Sequence, residues 1–366
     1  MRVLSVLGTR PNVMKLAPIV AELERRAGFE SVLVHTGQHR DAAMLDVFLG
    51  ELGMPAPDHL LGVGSGTPTQ QTAAILQRLE PILLAEQPDL VMVVGDVTST
   101  MAAALAACKL EIPIAHVEAG LRSFDRTMPE ELNRIVTDQL SDLLFTHSPE
   151  AAVNLAREGR PASAVHAVGN TMIDTLVAMH SQITAQDTTT RLGLSTGDYL
   201  VVTLHRPALV DSPLLGDVIA EICSLNTHLP VVFPLHPRTR ERLGSTAALE
   251  AAGVTIAPPL GYLDFLSLVE RAAGVLTDSG GIQEETTYLG VPCCTLRDNT
   301  ERPITVELGT NVLLGLSPRR IGDVPRLIED IRSRPHRIPP LWDGRAAQRI
   351  VAALEGHTPS RTLVRE

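Results

Sequence analysis

The sequence has 366 residues, 44% hydrophobic and only 3% aromatic, with a formal net charge of −11. That length is too great for one compact core and predicts two domains, and the aliphatic bias describes an α/β protein rather than a β-sandwich. The negative charge argues against nucleic acid as a partner, and with lysine limited to Lys15 and Lys109 an anionic ligand would be met by local arginines.

In chain order, Arg2–Leu7 reads as a buried strand leading into Gly8-Thr9-Arg10-Pro11-Asn12, and Met14, Leu16, Ile19, Val20 and Leu23 form the apolar stripe of a helix. Ser31–His35 is a second strand, closed by Thr36-Gly37-Gln38-His39. Residues 67–87 form a long helix, and Leu90–Val94 is a strand ending in Gly95-Asp96, backed by a small-residue helix from Ser99 to Cys108. Pro113–Val117 ends at Glu118-Ala119-Gly120. A polar loop then reaches Pro129-Glu130-Glu131, where a helix starts with proline in its first turn. Strands at Leu143–Thr146 and Ala164–Val168 complete a first domain, residues 1–169.

A second series covers residues 170–342. Strands at Leu200–Leu204, Val231–Leu235, Val254–Ile256, Gly274–Thr277 and Pro292–Leu296 alternate with helical segments. The repetition means Rossmann-like domains with parallel sheets covered on both faces, and ligands beyond the carboxyl ends of the strands. An amphipathic helix from Asp343 to Glu355 within the tail 343–366 is placed to pack back on the first domain. Cys108, Cys223, Cys293 and Cys294 lack metal-ligand spacing and read as buried thiols of a reducing compartment. No signal-peptide pattern or membrane-spanning apolar run is present, so a cytoplasmic protein without membrane contact is expected.

The stretch with most chemistry is Asp278-Ser279-Gly280-Gly281, between a buried strand and a helix. Glycines let the backbone approach a ligand, and the first amides of the helix point at it, as in a phosphate cradle. Glu284 and Glu285, one turn on, are placed for sugar hydroxyls. An ordinary strand-to-helix turn is the competing reading. In the first half Asp96, Glu118 and Glu130 are candidate acid/base groups, although one acid at a helix start is often only a cap. His116 and Glu118, two apart, share a strand face, but no third ligand has metal spacing. Arg10, Lys15, Arg122, Arg134, His205-Arg206, His236-Pro237-Arg238, Arg297 and Arg302 supply positive charge. Neither a Gly-x-Gly-x-x-Gly fingerprint, nor a P-loop, nor a Gly-x-Ser-x-Gly elbow is present, which disfavours a nicotinamide cofactor, P-loop hydrolysis and α/β-hydrolase chemistry.

The ordered motifs resemble the non-hydrolysing UDP-N-acetylglucosamine 2-epimerases from residue 1 to about residue 315. They are Gly8-Thr9-Arg10-Pro11 with Lys15, Thr36 to His39, Val94-Gly95-Asp96, His116 to Arg122, Pro129-Glu130-Glu131 with Asn133-Arg134, Gly169-Asn170, His205-Arg206, Asp278 to Glu285, and Thr300-Glu301-Arg302-Pro303. The resemblance implies a GT-B arrangement with the active site in the interdomain cleft, a homodimer, and no cofactor or metal. It implies C2 epimerisation between UDP-GlcNAc and UDP-ManNAc by elimination of UDP to 2-acetamidoglucal and re-addition. On the matching positions, Asp96, Glu118, Glu130 and His205 would be catalytic. Arg10, Lys15, His236, Ser279, Gly280, Gly281 and Glu285 would bind substrate, and Gln38, His39 and Arg206, with His236, would resemble a regulatory pocket. The family pattern has Glu where this chain has Asn12, Glu-Asn at Ala208-Leu209, and Glu at Ile304. These departures bear on regulation and substrate preference. A hydrolysing relative releasing ManNAc and UDP, a GT-B glycosyltransferase, and a non-catalytic nucleotide-sugar sensor are the alternatives.

Overall fold

Uninterrupted apolar runs form parallel strands buried on both faces, as sheets covered by helices on each side require. The structure, a computed structural model, describes residues 1–37 and 49–357, with Arg10 described by its backbone alone. The chain divides into two units, Met1–Ala178 with the segment from Pro340 onward, and Met179–Pro339.

In the first unit β1 (Arg2–Leu7), β2 (Glu30–His35), β3 (His59–Leu60), β4 (Leu90–Val94), β5 (Ile114–Val117), β6 (Leu143–Thr146) and β7 (Val165–Ala167) form one parallel sheet in the order β3-β2-β1-β4-β5-β6-β7. The second unit has β8 (Leu200–Thr203), β9 (Val231–Pro234), β10 (Thr255–Ala257), β11 (Gly274–Thr277), β12 (Cys293–Thr295) and β13 (Asn311–Leu313), ordered β10-β9-β8-β11-β12-β13. The α/β fold class with two Rossmann-like sheets is the one found. In each sheet the chain winds outward in opposite directions from a central pair, β1 beside β4 and β8 beside β11. Loops leaving the carboxyl ends of such a pair diverge and leave a crevice. Both candidate clusters stand on these loops. The two-residue β3 and three-residue β13 were not foreseen, since strands so short show no periodicity.

Local chemistry starts and stops the helices. Thr67 and Gln70 form a reciprocal capping box before Pro68–Glu86. Gly290, at φ +74, ends Gly280–Leu289 in the left-handed conformation that glycine adopts without strain. Ala102, Ala103, Ala104, Ala106 and Ala107 are buried in the helix Thr98–Lys109, where small side chains allow close approach to the core of Leu4, Val6, Val91 and Val93. Cys293 and Cys294 are buried, and exclusion from water pushes both thiols up, that of Cys293 to about 11. Cys108 and Cys223 are only half-buried, which corrects the reading of all four as core thiols. No helix among the described residues is long and apolar enough to cross a membrane.

The C-terminal segment is built into the first unit. Trp342, 1% exposed, donates its ring N–H to the His147 carbonyl at 3.0 Å. Gly169, at φ +92, passes so close to Leu341 that a Cβ would overlap its carbonyl oxygen. Asp174, on the helix Thr171–Thr184, accepts the backbone N–H groups of Ala346 at 3.0 Å and Ala347 at 2.7 Å, capping the helix Ala346–Glu355 from outside. Burial outweighs those bonds and pushes the Asp174 carboxyl up to about 6, with repulsion from Asp343 and attraction from Arg349 as lesser influences.

A native value above the ordinary 3.8 means that the folded state holds this proton more tightly than the unfolded chain. Stability from this group is therefore full below about pH 4 and is lost as pH rises through about 6. Asp174→Asn removes that loss. The variant should gain up to about 3 kcal/mol on wild type between pH 4 and pH 7, read from urea unfolding at both values; an unchanged difference would contradict the assignment.

Candidate active site

The first cluster begins at the exit of β1. Asn12 accepts the Thr9 N–H at 3.2 Å and the Thr9 hydroxyl at 2.8 Å, while its amide donates to the Val94 carbonyl at 2.5 Å. It thus ties the start of the helix Arg10–Arg25 to the end of β4. One turn on, Lys15 is buried in an ion pair with Glu118. Gly95, at φ +70, lies against this pair; a Cβ there would sit 3.3 Å from the Lys15 Nζ and 3.4 Å from the Asn12 amide nitrogen.

Asp96 follows, and its carboxylate accepts from Arg134 Nη1 at 2.5 Å while its carbonyl accepts from Asn133 at 2.8 Å. The N-cap of the next helix is Val97, so Asp96 is not merely a cap. Glu118 has φ +71, a left-handed conformation that costs a residue with a Cβ about 1–2 kcal/mol. It lies past the end of β5, so the strand alternation expected to align it with His116 does not extend to it. His116 instead turns into the core, with Nδ1 2.6 Å from Asp138 and Nε2 2.8 Å from the Gly95 carbonyl.

The adjacent acids at the start of the helix Pro129–Leu140 separate cleanly. Glu131, 1% exposed, accepts the Ser123 N–H and hydroxyl and the Phe124 N–H, each at 2.9 Å, and Arg134 Nη2 at 2.6 Å. Burial alone would raise its carboxyl, but the Ser123 amide and Arg134 outweigh it and hold it low. Glu131 is therefore fixed in the scaffold. Glu130 is half-buried, on the helix whose Asn133 and Arg134 hold Asp96.

The second cluster stands past β8 and β11. Asp278, 1% exposed, accepts the N–H groups of His205 at 2.9 Å and Arg206 at 2.8 Å and lies 3.1 Å from His205 Nδ1. Burial would raise the Asp278 carboxyl, but the bond and charge of His205 and the two amides keep it below the usual range. His205 remains partly open to solvent, its ring 5.6 Å from that of His236. His236 accepts the Arg238 N–H at 3.2 Å, and burial, then the charge of His205, pushes its ring down.

Ser279 stands at the N-terminal boundary of the helix Gly280–Leu289 without a side-chain capping bond, and the first amides of the helix have no carbonyl a turn earlier to bind. Arg302 packs over it, paired with Glu301 and with Glu284, the latter at 2.9 Å. Glu301, 2% exposed, also takes Arg297 at 2.6 Å and faces Arg206 at 3.6 Å. Against the cost of burial, Arg302, Arg297 and Arg206 hold its carboxyl well below the usual range. Glu284 is 0% exposed and paired with Arg302. Glu285 is on the same turn, 4% exposed.

The structure thus joins Lys15 to Glu118 beside Gly95 and Asp96 in one unit. In the other it joins His205 to Asp278 beside His236, Arg206 and the Ser279-Gly280-Gly281 helix start. Gln38 and His39 lie outside the described residues. Two acids that anchor these clusters, Asp138 and Glu301, were not singled out from sequence; Glu301 stood inside a recognised motif without a role. The divergent Leu209 and Ile304 are core residues, 1% and 3% exposed.

A family model described as UDP-N-acetylglucosamine 2-epimerase matches residues 21–355. A Methanocaldococcus jannaschii protein of that name is 40% identical over 366 residues, 97% of this chain and 99% of the other. A Pseudomonas aeruginosa UDP-2,3-diacetamido-2,3-dideoxy-D-glucuronate 2-epimerase is 43% identical over 323 residues, 86% and 88% of the two chains. The crystal structure of the M. jannaschii UDP-GlcNAc 2-epimerase in complex with UDP-GlcNAc and UDP matches with a TM-score of 0.89 at 39% identity, over 98% of this chain and 100% of that one.

A Cβ on Gly280 would lie 2.7 Å from both Arg302 Nη1 and Glu301 Oε1, so these two side chains would have to shift within their buried ion network. On the expectation from sequence that this helix start would receive phosphate, Gly280→Ala should weaken UDP binding about tenfold or more, measured by titration calorimetry. Unchanged affinity would remove the diphosphate from this turn.

Proposed function

The chain belongs to the UDP-N-acetylglucosamine 2-epimerase family, and we propose that it interconverts UDP-GlcNAc and UDP-ManNAc without hydrolysing them. The observation that carries this reading is the buried Lys15–Glu118 pair beside Gly95-Asp96. Carboxylates held against cations in a low-dielectric site suit proton transfer next to a developing cation.

The C2 proton of the sugar sits on the carbon that bears the acetamido nitrogen, with no carbonyl carbon next to it in the ring, so its direct removal is very costly. As the C1–O bond breaks, its electron pair leaves with UDP and C1 becomes oxocarbenium-like, which acidifies C2–H. A carboxylate takes the proton, the C2–H electrons form the C1–C2 double bond, and 2-acetamidoglucal and UDP result. Protonation of C2 from the opposite face, with UDP adding back to C1, gives the epimer. Asp96, Glu118 and Glu130 are the groups for these proton transfers and for stabilising the cation. Lys15 and Arg134 hold two of them in place.

His205, backed by Asp278, faces the leaving diphosphate in this reading. Ser279, Gly280 and Gly281 offer it backbone amides, Glu285 takes the ribose, and Arg10 and His236 complete the substrate contacts. Arg206, with Gln38 and His39, would belong to a regulatory pocket. No redox step is involved, since the carbon skeleton begins and ends at the same oxidation level. A homodimer is the assembly we assign. The relative at 43% identity, named for a 2,3-diacetamido glucuronate, supports a second reading in which the same C2 chemistry acts on a more highly modified sugar.

Proton NMR with UDP-GlcNAc in deuterated water tests the proposal. UDP-ManNAc should appear, with deuterium at C2 of both sugars, and Glu118→Gln should lower turnover by at least about 10³-fold while UDP still binds. Free ManNAc and UDP would show a hydrolase. No reaction with UDP-GlcNAc, but turnover of the diacetamido glucuronate, would select the second reading; binding of UDP with neither reaction would leave a sensor.

A further inference from the structure

Outside the groups assigned to chemistry, the chain buries a complete ionic cluster directly beneath Glu118. Asp138 is 0% exposed, and three bonds converge on its carboxylate: His116 Nδ1 at 2.6 Å, the Gly120 N–H at 3.0 Å and Arg122 Nη2 at 2.7 Å. His116 and Gly120 stand two residues before and two after Glu118. The same carboxylate therefore grips the chain on both sides of the residue whose backbone is left-handed.

The grip extends to the other strand. His116 Nε2 faces the Gly95 carbonyl at 2.8 Å, and the Gly95 N–H donates to the Val117 carbonyl at 3.0 Å. His116 thus bridges the Asp138 carboxylate to the backbone that leads into Asp96. Arg122 passes its second contact outward to Glu158, with bonds of 2.7 and 2.6 Å. Arg122 therefore sits between two carboxylates, those of Asp138 and Glu158. The amides of Glu118 and Ala119 share the Phe145 carbonyl at 3.1 and 3.0 Å, and the Gly120 carbonyl accepts from Asn154 at 3.0 Å.

Buried ion clusters are seldom the cheapest way to fill a core, and apolar replacements of similar volume are often as stable. A strained backbone, by contrast, persists only where its surroundings over-determine it. We infer that Asp138, with His116, is a positioning residue that holds Glu118 in its left-handed conformation and fixes the Gly95 carbonyl, so that both proposed carboxylates, Glu118 and Asp96, are aimed together. The inference rests on the proposed role of Glu118 in proton transfer.

Asp138→Asn in the full chain tests it, with a second substitution that releases the strain. Asn keeps the size but loses the charge that binds His116 and Arg122. It should lower kcat about 100-fold through misplacement of the reacting groups, with KM and the UDP dissociation constant within about twofold of wild type. In a Glu118→Gly background the backbone no longer needs forcing, so Asp138→Asn should lower the unfolding midpoint by about 3 °C less than it does in the native background. If Asp138→Asn does not fold, His116→Gln should show the same loss of kcat at unchanged UDP affinity, and wild-type kcat in that variant would overturn the inference.

Wild-type kcat in Asp138→Asn, or equal midpoint losses in both backgrounds, would overturn the inference, as would loss of UDP affinity in parallel with kcat. The unfolding cycle needs no turnover. A Glu118→Gln enzyme with full activity would therefore sink the proposed function while the cycle still decides whether Asp138 clamps the backbone.

Discussion

A carboxylate taken out of water has to be met by cations or by backbone amides, or it will not stay ionised. Both units are arranged around that constraint. In the first, Glu118 is answered by Lys15, Asp138 by His116 and Arg122, and Glu131 by Arg134 with two amides. In the second, Asp278 is answered by two amides and His205, Glu301 by three arginines, and Glu284 by Arg302. Removing one member of such a pair typically costs about 3–5 kcal/mol, because the partner is left charged and buried. The clusters consequently behave as units.

The placement of these clusters follows from topology. Loops leave the carboxyl ends of β1 and β4, and of β8 and β11, in diverging directions, and every charged group has to be tied back across the gap. Asn12 does so from the first helix to Val94, His116 from β5 to Gly95, and Asp278 from β11 to the residues after β8. Asn12, which departs from the family pattern, is thus fully used in this chain. Leu209 and Ile304, the other departures, are buried in the apolar core, where their side chains offer no polar contact.

The strands and most residues at their ends were readable from apolar runs and turn chemistry, because a parallel sheet buried on both faces leaves little ambiguity. The helix Pro129–Leu140 was not readable in the same way. It buries Glu131, Asn133, Arg134, Thr137 and Asp138 and leaves Leu132 and Val136 at 41% and 38% exposure. Hydrophobic patterning orients such a helix backwards, since the usual rule puts the apolar stripe inside. That inversion explains why Glu130 and Glu131 could not be told apart and why Asp138 went unnoticed. Glu118 was found by its place after a strand, but its left-handed backbone was invisible, for nothing in a glutamate announces a positive φ.

The C-terminal attachment has a spectroscopic consequence. Trp342 is the single tryptophan among 366 residues, sealed against His147, with their rings 5.9 Å apart. Fluorescence excited where tyrosine does not absorb therefore originates at one point, where the returning segment packs against the rest of the first unit. Its emission thus follows the attachment of that segment, and a red shift would report that the C-terminal return has come away from His147 and let water reach the ring.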